Sequence, residues 1–187
     1  MQEEIKKAIE VLKSGGVILY PTDTVWGIGC DATNAAAVQR VFEIKKRVDT
    51  KAMLVLVDSA ARVQSYVEEV PEMAWELIEL TDKPLTIIYP NAKNLAKNLV
   101  AEDNSIGIRV TCESFSKSLC ERFRRPIVST SANVSGAETP KNFSKISPEI
   151  ISAVDYVVSY RQSEKSEPMP SSIIKLGVGN LFQIIRK

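Results

Sequence analysis

The sequence contains no histidine. That absence removes Ser-His-Asp and Cys-His nucleophilic pairs, HExxH zinc sites and histidine general bases. Cysteine is scarce: Cys30, Cys112 and Cys120 show no CxxC spacing, which argues against a zinc ribbon, and no metal ligand is assigned. An odd number of thiols without a secretory signal predicts reduced cysteines and a cytoplasmic protein. The opening MQEEIKKAIE is charged and amphipathic, unlike the apolar stretch of a signal peptide. No apolar run approaches the ~20 residues that a spanning helix needs, so no membrane partner is expected. Aromatics make up 6% of the chain and the net charge is +1, which weighs against a surface dedicated to nucleic acid. What is present is the 44% apolar content of an ordinary globular domain, in a length of 187 residues that suits one domain, 1–187.

Ile5, Ala8, Ile9 and Leu12 recur at helical spacing ahead of Gly15-Gly16, which predicts an N-terminal helix and its stop. VILY (17–20), MLVLV (53–57), LTIIY (85–89), IGIRV (106–110) and PIVSTSA (126–132) read as strands. Asn34 is placed to cap a helix over 34–46, and helices are also predicted in PEMAWELIEL, SFSKSLCERF and SPEIISAV. SSIIKL and LFQIIR flank GVGN as a hairpin. Strands alternating with helices, closed by a hairpin, predict an α/β domain with a mixed sheet. The polar stretch QSEKSEPMP (162–170) reads either as a lid or as a surface connection.

Residues 27–32, GIGCDA, match the G-x-G-x-x-A pattern of dinucleotide-binding loops, and Asp58 follows the second predicted strand. A nicotinamide-dependent oxidoreductase is the reading this suggests. However, Pro21 to Trp26 separate Tyr20 from Gly27, and a phosphate-binding turn needs its first glycine directly after the strand.

Three polar groupings remain. In the first, Thr22, Asp23 and Thr24 sit after a strand stopped by Pro21; they either orient a polar ligand or satisfy their own loop backbone. Lys45, Lys46 and Arg47 end the 34–46 helix. Cations there answer the helix dipole or clamp a phosphate, with Asp49 near enough to pair with them. The third grouping is PIVSTSANVSG (126–136). Ser129, Ser131 and Asn133 share one face if the strand runs that far, as a ligand site at a strand end or as a polar turn.

YPTDTVWGIG (20–29), the K-x-R of Lys45 and Arg47, and STSANVSG (129–136) together resemble the YrdC family of threonylcarbamoyl-AMP synthases. PLTIIYP (84–90), SIGIRV (105–110) and PSSIIKL (170–176) extend the resemblance over most of the chain, as in the short, single-domain form. It departs from the family pattern at Trp26, often Tyr, and at Lys46 and Val48, which replace the glycine and proline of K-G-R-P. The resemblance implies a YrdC-type open twisted mixed sheet with flanking helices and a concave ligand face. It implies that L-threonine, bicarbonate and ATP, accompanied by Mg²⁺, give threonylcarbamoyl-AMP and pyrophosphate. A downstream tRNA threonylcarbamoyl transferase then acts on adenosine 37 of ANN-decoding tRNAs.

Carried over, Thr22, Arg109, Ser129 and Ser171 contact L-threonine. Lys45, Arg47, Ser105, Ser131, Thr139 and Arg186 contact ATP, and Asn133 completes an S-x-N motif with Ser131. Lys45, Arg47, Ser131 and Asn133 are the implied catalytic set. The glycines of YPTDTVWGIG are expected to turn the chain beneath the nucleotide. Such chemistry needs alignment and charge neutralisation rather than a protein nucleophile, which suits a chain without histidine. A non-catalytic module binding tRNA or double-stranded RNA, through KKR and RFRR (122–125), is the alternative from another class.

Overall fold

A computed structural model describes residues 1–46, 53–177 and 181–187. Its strands are β1 (Ile18–Tyr20), β2 (Gly27–Gly29), β3 (Leu54–Val57), β4 (Leu85–Tyr89), β5 (Ile106–Val110), β6 (Ile127–Ser131), β7 (Tyr156–Val157), β8 (Ser172–Leu176) and β9 (Phe182–Arg186). They join into one sheet in the order β7-β1-β2-β6-β3-β5-β4-β8-β9. The sheet is mixed: β3 runs parallel to β5 and β4 to β8, while β6 is antiparallel to both its neighbours.

The helices are α1 (Gln2–Lys13), α2 (Ala35–Ile44), α3 (Ala60–Val63), α4 (Glu72–Leu80), α5 (Ser114–Phe123) and α6 (Pro148–Ala153). Their ends follow local chemistry. Asn34 accepts from the amides of Ala36 and Ala37 to open α2. Glu113 accepts from Phe115 and Ser116 to open α5, which ends on Arg124 in the left-handed region at φ 60°. Pro148 starts α6 under a Ser147 cap. α1 buries Ile5, Ala8 and Leu12, and Gly15 takes φ 80° just beyond it.

Register divides the sheet's side chains between two faces. Val55, Ile108 and Val128 share one face and are buried there. Arg109 and its partner Thr86 take the other face, as do Leu54 and Ser129, which pair across β3 and β6. That second face lines a trough.

Two differences from the sequence expectations concern short strands. Gly27 and Gly29 lie inside β2, paired with β1 and β6, so GIGCDA forms no strand-to-helix phosphate turn and its glycines do not turn the chain beneath a ligand. A Cβ on Gly29 would stand 2.6 Å from Cε1 of Tyr20 and closer still to the Val128 carbonyl, so glycine is there to admit the Tyr20 ring. β7 adds to β1 at the sheet edge, where the Val17 amide donates to Asp155 Oδ2 at 2.7 Å. The predicted hairpin pairs β8 with β9, Leu176 opposite Phe182; Val178, Gly179 and Asn180 lie outside the described residues.

Candidate active site

The trough has two connected parts. One is a cavity of about 340 Å³ lined by Thr24, Trp26, Arg109, Ser129, Ser131 and Arg186, among others. The other, of about 540 Å³, shares Met53, Leu54 and Ile173 with it and runs on to Ser105, Asp103 and Lys175. Strands distant in sequence meet here because β6, β3, β5, β4 and β8 are neighbours in the sheet.

Arg109 is the electrostatic centre. It is only 3% exposed, and its Nη2 lies 2.9 Å from Asp23 Oδ1. Its Nε has no hydrogen-bond partner among the described residues. A buried guanidinium with an unused donor is costly unless something fills the place. Burial pushes the Asp23 carboxyl above the usual range, and the charge of Arg109 partly offsets this. Arg186 comes in from β9; its Nε donates to the Ser171 carbonyl at 2.8 Å. Burial and the nearby charge of Arg109 both lower the Arg186 pKa. Ser171 Oγ in turn shares a 2.9 Å hydrogen bond with Thr86 Oγ1. Arg109 and Arg186 thus both line the cavity, and Asp23 is paired with the first of them, which leaves positive charge for an anionic ligand.

The opening loop resolves into two different threonines. Thr22 is 2% exposed, and its hydroxyl donates to the Val25 carbonyl at 2.7 Å and accepts from the Thr24 amide at 3.1 Å. Its hydroxyl is used inside the loop. Thr24, named in the same polar grouping but given no role by the resemblance, lines the cavity. Two threonines flanking an aspartate look alike in sequence; only the backbone path separates them.

Lys45 caps the end of α2 and is 3% exposed. Its Nζ donates to the carbonyls of Ser131 at 2.6 Å and Asn133 at 2.7 Å. The Lys45 carbonyl accepts from the Ser135 amide at 2.8 Å. Lys45 thus fixes the turn that follows β6. Lys46 takes φ 48°, the left-handed conformation that suits the glycine it replaces in the motif. Arg47, with Val48 and Asp49, lies outside the described residues. β6 ends at Ser131, so Asn133 does not continue the strand face; it belongs to the turn, where its Nδ2 donates to the Ala137 carbonyl at 2.8 Å.

Of the remaining expected residues, Ser129, Ser131, Thr139, Ser171 and Arg186 line the same cavity as Arg109. Ser105 lies in the adjoining one, 6% exposed, and its hydroxyl donates to Asp103. Residues 162–170 run beside the opening loop: Glu164, Ser166 and Pro168 share a narrow gap with Pro21, Thr22 and Trp26. Trp26 packs its ring against Phe143, with centroids 4.9 Å apart.

An α/β sheet with a cationic trough across one open face is a fold built to hold an anionic small molecule. The chain belongs to the Sua5/YciO/YrdC family: the family model, described as telomere recombination, matches residues 10–187. It is 34% identical over 170 residues to the threonylcarbamoyl-AMP synthase of Pseudoalteromonas translucida, covering 89% of this chain and 91% of that one. With the threonylcarbamoyl-AMP synthase of Psychromonas ingrahamii it shares 36% identity over 140 residues, 73% of each chain. Among solved structures, E. coli YciO superposes with a TM-score of 0.86 at 25% identity, covering all of this chain (100%) and 90% of that one. P. abyssi Sua5 complexed with L-threonine superposes at 0.82 and 24% identity, covering 92% of this chain and 50% of that one, and so shares its fold over half the longer chain. Among the described residues no helix is long and apolar enough to cross a membrane.

Proposed function

We propose that this chain is an L-threonylcarbamoyladenylate synthase, a nucleotidyltransferase that makes threonylcarbamoyl-AMP and pyrophosphate from L-threonine, bicarbonate and ATP. The observation that carries the reading is Arg109: a buried guanidinium on the trough floor with an unpartnered Nε. A carboxylate is the group that best matches such a donor edge. L-Threonine places its carboxylate there, with Ser129, Ser171 and the Thr22–Thr24 loop around it. The synthase names of relatives at 34% and 36% identity support the same reading.

The threonine amine and bicarbonate combine to a carbamate with loss of water. A carbamate oxygen then attacks the α-phosphorus of ATP, and pyrophosphate leaves with the electrons of the broken P–O bond. The chain's own residues align the reactants and balance charge. Arg186, Ser131 and Thr139 lie on the nucleotide's side of the cavity, and Ser105 in its extension. Lys45 holds the Ser131–Asn133 turn in place, and Arg47 is assigned to the phosphates on its motif alone. Among the described residues no group of three or more potential metal-binding side chains occurs, and Asp23 beside the trough is paired with Arg109. Mg²⁺ is proposed to arrive with ATP as part of the substrate, with no protein ligand assigned. The product is a reactive mixed anhydride, so a tRNA threonylcarbamoyl transferase is the proposed consumer. A purely RNA-binding role has little support in RFRR, since Arg125 is 2.7 Å from the buried Asp31.

Pyrophosphate release from MgATP, with threonine and bicarbonate omitted in turn, tests the reaction. Release that requires both is expected. Release in the absence of both, or none with all substrates present, would contradict it.

A further inference from the structure

Arg161 lies outside every motif discussed above and does not line the 340 Å³ cavity, yet its guanidinium joins three elements. Nη1 donates to the Thr22 carbonyl at 3.2 Å and lies 3.3 Å from Glu113 Oε1. Nε donates to Glu164 Oε1 at 2.8 Å, and Nη2 lies 2.7 Å from Glu164 Oε2. Tyr160, the preceding residue, stacks on Phe115 in the first turn of α5. Arg161 itself sits at φ 68°, an uncommon conformation for a non-glycine residue, one usually retained where surrounding contacts hold it.

We propose that Arg161 is a positioning residue of the amino-acid subsite, fixing the Thr22–Thr24 turn through the Thr22 carbonyl. Thr22 is buried, so its carbonyl needs a partner. The next residue, Asp23, is the one that contacts Arg109, and the one after it, Thr24, lines the cavity. A shift of that turn moves the counter-charge of Arg109 and one wall of the subsite together. Glu113 remains bound to the amides of α5 when Arg161 is lost, so the helix keeps its cap. Among the described residues Arg161 makes no hydrogen bond or ion pair with Arg186, Ser131 or Thr139 on the nucleotide's side, nor with Ser105 in its extension. The effect of losing Arg161 is therefore expected to fall first on the amino acid, whose wall the Thr22–Thr24 turn forms.

This inference rests on the synthase reading. The test uses the full chain as wild type, Arg161→Ala and Arg161→Lys. Thermal unfolding is measured first. Pyrophosphate release is then followed with threonine varied at saturating ATP, and with ATP varied at saturating threonine. The KM for threonine is expected to rise roughly tenfold or more in Arg161→Ala, the scale of one lost charge-assisted hydrogen bond. A smaller rise is expected in Arg161→Lys, whose ammonium keeps one donor for the carbonyl but loses the fork toward Glu164. The KM for ATP and kcat are expected to stay within about twofold of wild type, on the same reasoning that the phosphate end is untouched. An unchanged KM for threonine overturns the proposal. So does a parallel loss in all three constants, which marks a role in folding only. Should Arg161→Ala fail to fold, the same split in Arg161→Lys decides. If wild type shows no threonine-dependent turnover, the synthase reading fails first, and calorimetric binding of L-threonine then reads this inference separately. Weaker binding by Arg161→Ala supports it, and equal binding, or none by wild type, overturns it.

Discussion

Lys45 directs its ammonium into the turn after β6, where it serves two carbonyls at once. Its charge and its shape-holding role cannot be separated by deletion. Lys45→Ala is expected to lower kcat by about 10²–10³, on the scale of one lost preorganised donor, because the turn that carries Ser131 and Asn133 loses its anchor. It is also expected to cost about 1–3 kcal/mol for each carbonyl left unpaired. Steady-state rates and urea unfolding check the two parts; a normal rate would remove Lys45 from the catalytic set. Asp103 allows a pH test. Hydrogen bonds from Lys175 and Ser105 lower its pKa from 3.8 to about 2. A carboxyl depressed in the folded state stabilises above its unfolded pKa, and that contribution fades as pH falls through the folded one. Asp103→Asn is therefore expected to lose less stability than wild type between about pH 4 and pH 2 in denaturant titrations. At this scale the sequence pointed to Arg109, Ser129 and Arg186 through motif resemblance. It did not separate Thr22 from Thr24, because which hydroxyl is spent on the loop depends on how the turn closes.

The helices were readable as elements. Apolar residues at three- and four-residue steps outlined α1, and Asn34 marked the start of α2. The longer strands were readable as apolar runs. β2 and β7 were not, for a physical reason: strands of three and two residues carry no periodicity, and β6, which holds the outer side of β2, and β1, which holds β7, lie far away in the chain. GIG in β2 also carries two glycines, which propensity assigns to loops. Their purpose shows only once the Tyr20 ring is in place. Gly29→Ala must displace that ring or the Val128 carbonyl, at an expected cost of about 1–3 kcal/mol, typical of overpacking. For a chain of this length that lowers Tm by roughly 2–4 °C per kcal/mol. Calorimetry checks it, and an unchanged Tm would mean that β2 is loosely held.

Across the whole molecule, the mixed α/β class followed from alternation of strands and helices, but the strand order did not. Placing β6 between β2 and β3, and β8 beside β4, is settled by long-range pairing that local patterns do not encode. That order assembles the trough, since it brings Ser129, Arg109, Thr86 and Ser171 onto one face. It also explains how a chain of net charge +1 presents a cationic site: Arg109 and Arg186 are gathered there, while surface charges pair elsewhere, as Arg40 does with Asp155 at 2.7 Å. The account's central claim is that the trough joins threonine to AMP through a carbon taken from bicarbonate. Mass spectrometry of the nucleotide product formed with isotopically labelled bicarbonate tests this most directly. The account predicts a threonylcarbamoyl-AMP whose mass carries the label. An adenylate that lacks the labelled carbon, with threonine joined directly to AMP, would contradict it.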